Sequence, residues 1–89
     1  MSTRVLVVDD SVSIRQMVEM TLRAANFEVT LAEDGQHALD MCSGSAFDVV
    51  LTDQNMPRMD GLTLIKALRG KPAFQRVPIV MLTTEAGDD

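Results

Sequence analysis

The apolar positions of the chain fall into four short runs, separated by stretches in which apolar residues recur at helical spacing. Arg4 to Val8, RVLVV, is brief and rich in β-branched residues, and Asp9 closes it abruptly. That pattern predicts a strand covered on both faces. In SVSIRQMVEMTLRAAN, Ile14, Met17, Val18, Thr21, Leu22 and Ala25 recur every three or four positions, predicting a helix capped by Ser11 or Ser13 and stopped near Asn26. FEVTLA alternates Phe27, Val29 and Leu31 with Glu28 and Thr30, which predicts a second strand with one better-buried face. EDGQHALDMCSG carries Ala38, Leu39 and Cys42 between turn residues and reads as a short helix. FDVVLTD is a third strand that ends, like the first, in an aspartate, Asp53. Beyond the loop QNMPRMDG, the residues Leu62, Ile65, Leu68 and Arg69 predict a third helix, with Asp60 near its N-cap and Gly70 near its end. A connector with Pro72 leads to VPIVMLTT, a fourth strand whose Pro78 is tolerated at a beginning or edge.

Strictly alternating strands and helices indicate an α/β fold with an open parallel sheet and right-handed crossovers. A chain of 89 residues supports one modest core, hence one domain. Thirteen acidic against eight basic residues, a net charge of -5, disfavour binding a nucleic-acid backbone over a broad surface. The single cysteine, Cys42, cannot form an internal disulfide, which fits a reducing, cytoplasmic setting. No segment approaches the roughly 20 apolar residues of a membrane span, so membrane insertion is not expected.

In a parallel open sheet, binding groups collect beyond the carboxyl ends of the strands. Asp9 and Asp10 after the first strand would there meet Asp53 after the third. Three carboxylates repel one another in a poorly solvated crevice, and a divalent cation reverses the sign of that field. Mg2+, which favours hard oxygen ligands and keeps several waters, is the natural candidate. A carboxylate beside such an ion can also serve as the nucleophile in phosphoryl transfer. Taken alone, each acid has an ordinary alternative: Asp9 and Asp10 could cap a helix, and Asp53 could be a loop acid.

The segments VLVVDDS, DVVLTDQNMPRMDG and PIVMLTT, at their mutual spacing, resemble the receiver domain of bacterial two-component response regulators, closest to single-domain chemotaxis receivers. The resemblance implies a flavodoxin-like sheet in which Asp53 accepts phosphate from a histidine kinase. It further implies Mg2+ held by Asp9, Asp10, Asp53 and the backbone carbonyl of Asn55, with Thr83 as the switch hydroxyl. Met56, Pro57 and Gly61 correspond to residues that shape the loop after the phosphoacceptor. The output implied is altered binding of a downstream protein target, with chemotaxis as the setting and no direct contact to nucleic acid.

Receivers of this kind continue through a further helix, a fifth strand and a final helix, with a lysine after the fifth strand. Residues 1–89 therefore read as a partial receiver, and neither Lys66 nor Lys71 stands at the lysine's position. An incomplete sheet could be covered by a homodimer or by exchanged elements. Two other functions use the same residues: a non-signalling fragment that self-associates, and a Mg2+-dependent phosphatase with an aspartate nucleophile. A conventional enzyme is not expected; the chemistry expected is at most Mg2+-dependent self-phosphorylation and self-dephosphorylation. His37 and Cys42 read as ordinary helix residues, and Arg4, Arg15, Arg23, Arg58 and Arg69 as separated surface charges.

Overall fold

The computed structural model describes residues 2–82. Its elements are β1 (Arg4–Val8), α1 (Val12–Ala24), β2 (Glu28–Ala32), α2 (Gly35–Cys42), β3 (Val49–Asp53), α3 (Gly61–Arg69), a 3-10 turn (Pro72–Phe74) and β4 (Ile79–Leu82). All strand pairs are parallel, in the order β2-β1-β3-β4, which is the predicted open α/β sheet.

Local chemistry sets the helix limits. Ser11, Asp34 and Asp60 each take an extended conformation and accept a hydrogen bond from the backbone three residues on, at Ile14, His37 and Thr63. These side chains satisfy amides that the first turn leaves without a partner. Of the two serines considered for α1, Ser11 is the cap. Asn26 ends α1 with a φ of 70°, while Asn26 N–H donates to the Arg23 carbonyl and Phe27 N–H to that of Leu22. This is the left-handed closure that asparagine tolerates better than most residues.

Two cores flank the sheet. On one side Leu6, Val8 and Val50 pack with Ala38 and Cys42 of α2, Leu64 and Leu68 of α3, Phe74 of the 3-10 turn, and Phe47 and Met56 from the loops. On the other, Val5, Val7 and Val29 are covered by Val18 and Leu22 of α1, with Phe27, Leu31, Val49 and Leu51 half-buried around them. Residues Val5 to Val8 are all buried, so β1 is enclosed on both faces as its composition predicts. Burial pushes the Cys42 thiol up, against a smaller opposing pull from Lys71. His37 is also satisfied in place, its Nδ1 accepting from the Glu33 amide.

The predicted helix faces need correction. In α3 the enclosed residues are Leu64 and Leu68, whereas Leu62 is 50% exposed. The pair Leu64 and Leu68 is an i, i+4 stripe, and Leu62 lies well round the helix from it. Met17 is likewise exposed, because α1 meets the sheet through the narrow stripe of Val18 and Leu22. The arginines are not merely separated surface charges. Arg69 Nη1 donates to the carbonyls of Phe74, Gln75 and Val77, Arg23 binds Glu19 and the Val29 carbonyl, and Arg4 lies over the Phe47 ring.

Candidate functional site

Register brings the acids together. Val8 of β1 pairs with Thr52 of β3, so one step further along each strand Asp9 stands beside Asp53. Neighbouring strands lie about 4.8 Å apart, close enough for the two side chains to share a ligand. Asp10 follows in the turn to α1, and carboxylate oxygens of Asp9, Asp10 and Asp53 all lie within 4.8 Å of one another. Asp9 and Asp53 are buried while Asp10 is exposed, giving the cluster a deep side and a solvent side.

The deepest carboxylate is incompletely satisfied. Asp9 Oδ1 accepts from the Ser11 amide at 2.9 Å, but its Oδ2 is enclosed without a hydrogen-bond partner among the described residues. A buried charged oxygen with no donor is costly, and it is worst beside other anions. Desolvation pushes the Asp9 carboxyl above its ordinary value of 3.8, with Asp53 and Asp10 adding to the effect and the Ser11 amide and Arg15 opposing it. A buried carboxylate oxygen without a donor, on a residue whose carboxylate clusters with two others, suits a divalent cation, and the donor set fits Mg2+.

The direction of that shift fixes a pH dependence. A carboxyl whose folded value is raised binds its proton more readily in the fold, so acidification through the window from the raised value down to 3.8 favours folding. Urea titrations in a chelator are expected to show metal-free Asp9→Asn more stable than wild type at neutral pH, with the gap closing as pH falls through this window. A gap independent of pH would refute the assigned strain. Asp60 acts oppositely and lower on the scale: its hydrogen bond from the Thr63 amide holds it below 3.8.

The loop after β3 is seated on the same strand end. Asp53 Oδ1 accepts from the Gln54 amide at 2.9 Å, Gln54 Oε1 accepts from the Leu62 amide at 3.0 Å, and the Gln54 carbonyl accepts from Gly61. Gly61 is packed so closely that a Cβ there would run into the Asp53 carbonyl oxygen and lie 3.0 Å from Gln54 Cα. Met56 is buried in the larger core, while Asn55 and Pro57 are exposed in the loop. Arg58 has a φ of 70° and reaches Asp34 at 3.7 Å, tying the loop to the start of α2. Thr83 lies outside the described residues.

Two contributors lack a pattern in the sequence. Gln54 reads as a loop residue until its side chain is seen on the first turn of α3. Arg15 reads as a surface charge, yet its Nη1 donates to the Asp9 backbone carbonyl at 2.6 Å. Capping preference signals Asp60 and Ser11, but nothing comparable marks a long side chain whose partner is a distant backbone group.

The family model of the response regulator receiver domain matches residues 5–89. The chain belongs to this receiver family. Chemotaxis protein CheY1 of Helicobacter pylori is 42% identical to this receiver over 86 residues, which are 94% of the chain and 69% of that protein. Among solved structures, the chemotaxis response regulator CheY4 of Vibrio cholerae is similar with a TM-score of 0.93 and 47% identity, covering 98% of the receiver and 72% of that chain. The receiver domain of sensor histidine kinase PA1611 from Pseudomonas aeruginosa, with a magnesium ion coordinated in its active site cleft, shares 30% identity at a TM-score of 0.91, covering 99% of this chain and 72% of its own. Two-component signalling, with phosphoryl acceptance as the general family role, is thereby the class to which the receiver belongs. Among the described residues no helix is long and apolar enough to cross a membrane.

Proposed function

We propose that the protein accepts a phosphoryl group on Asp53 from the phosphohistidine of a histidine kinase and thereby changes its affinity for a downstream protein, in chemotaxis and in the cytoplasm. The convergence of the Asp9, Asp10 and Asp53 carboxylates, with a buried Asp9 oxygen left without a donor among the described residues, is the observation that carries this reading. Asp9, Asp10, Asp53 and the Asn55 carbonyl would hold Mg2+. When bound, the ion supplies positive charge that offsets the anionic transferring group.

The remaining work falls to the chain. Asp53 Oδ1 is held by the Gln54 amide, which orients the carboxylate at the strand end. An Asp53 oxygen attacks phosphorus, forming an O–P bond as the P–N bond to the donor imidazole breaks and its electron pair returns to nitrogen. The product replaces one negative charge with a group carrying about -1.5 to -2 and three acceptor oxygens. Thr83 is assigned as the hydroxyl that donates to one of them. Met56, Pro57 and Gly61 shape the loop after Asp53, with Gly61 allowing the start of α3 to approach the Asp53 carbonyl closely.

The test is intact-mass analysis after incubation with Mg2+ and acetyl phosphate. One phosphoryl adduct is expected on the wild type and none on Asp53→Asn. Equal modification of both chains would exclude Asp53 as acceptor, and absence of an adduct on the folded wild type would exclude the phosphoryl-accepting function itself.

A further inference from the structure

We propose that Arg15 is a positioning residue for the acidic cluster: by holding the carbonyl of the Asp9–Asp10 peptide, it fixes the direction in which both carboxylates leave the chain. The inference rests on reading the cluster as a Mg2+ site. Its observation is the hydrogen bond from Arg15 Nη1 to the Asp9 carbonyl at 2.6 Å, made by a half-buried side chain one turn into α1. A guanidinium so near three carboxylates would be expected to pair with one of them. Instead it makes no ion pair with Asp9, Asp10 or Asp53 and bonds the backbone between the first two.

That choice has a geometric result. β1 ends at Val8, so the Asp9–Asp10 peptide lies beyond the regular ladder. On its near side the Asp9 amide donates to the Ala32 carbonyl at 3.2 Å, and on its far side the Ser11 amide donates to Asp9 Oδ1. Arg15 holds the peptide plane between these points. With that plane fixed, Asp9 is directed inward beside Asp53 and Asp10 outward toward solvent. A residue that orients metal ligands without touching the ion commonly changes metal affinity by about 10- to 100-fold when removed.

Charge and positioning predict opposite signs, which makes the proposal testable. A cation beside the site repels Mg2+, so an arginine acting through charge alone would weaken binding, and its loss would tighten it severalfold. A positioning arginine gives the reverse. Mg2+ titrations followed by NMR on wild type, Arg15→Gln and Arg15→Lys are expected to show about tenfold weaker binding for glutamine. Lysine, which keeps both the charge and a donor, should restore most of the affinity. The Asp9 carbonyl 13C resonance should move upfield in the glutamine variant before any Mg2+ is added.

Equal or tighter Mg2+ binding by Arg15→Gln, or an unmoved Asp9 carbonyl resonance, would overturn the proposal while leaving the metal site standing. A wild type that binds no Mg2+ would remove the metal reading and this inference with it. If the glutamine variant does not fold, the wild type decides. Arg15 Nη protons that are resolved and exchange slowly support the bond, and freely averaged ones refute it.

Discussion

Gly61→Ala is expected to lower folding stability by about 3 kcal/mol, the upper part of the usual range for forcing an extra methyl into a filled space. The added carbon would meet the Asp53 carbonyl oxygen, Gln54 Cα at 3.0 Å and the Asp53 carbonyl carbon at 3.2 Å, all of them backbone atoms. No side chain can turn aside to make room, so either α3 withdraws or the end of β3 shifts. Withdrawal would also stretch the hydrogen bond from the Gly61 amide to the Gln54 carbonyl. For a domain of this size the loss corresponds to a melting temperature roughly 12 to 24 °C lower. Gly44→Ala is the control: a methyl there has nothing within 4 Å among the described residues, and its backbone φ is not positive, so little change is expected. Thermal melts of the two variants side by side check the claim, and similar melting temperatures would refute the close approach of α3 to Asp53.

Asp9→Asn should separate what the acid costs the fold from what it contributes to the site. Asparagine can still accept from the Ser11 amide, while its NH2 group replaces the orphaned Oδ2 and can donate to the neighbouring carboxylates. The metal-free variant is therefore expected to be more stable than wild type by about 1 kcal/mol at neutral pH, the scale of one satisfied hydrogen bond. Mg2+ should reverse the order. At one hundred times its dissociation constant, a ligand bound only by the folded state adds about 2.7 kcal/mol. Wild type should show that gain and the variant almost none at the same concentration. Urea unfolding with Mg2+ and with a chelator measures both quantities. A variant destabilised in chelator, or one still stabilised by Mg2+, would contradict the role given to Asp9.

The meeting of the acids could be read from the sequence because it follows from strand order alone. Asp9 and Asp53 each end an apolar run, and parallel strands present the same end to the same edge. Caps were legible for a similar reason, since Ser11 and Asp60 act within three residues of themselves. The faces of the helices were less so. In α3, spacing suggested Leu62, Ile65 and Leu68, and only packing against Phe74 and β3 selected Leu64 with Leu68 as the enclosed pair. Long-range polar contacts left no trace at all. Arg15, Gln54 and Arg69 act on backbone groups, and backbone groups carry no sequence signature.

Arg69 gives the helix that follows the acidic site a second attachment. Across nine residues, about 13 Å of axial rise, α3 is a short beam. One end abuts the Asp53 peptide through Gly61, and the other, through Arg69, grips the loop that delivers the chain into β4. The alignment of β4 beside β3 is consequently braced twice, once by the ladder and once by a strut whose footing is the strand end that carries Asp53. Arg69 thus belongs to the mechanical support of the acidic site, although it stands at the far end of the helix from it.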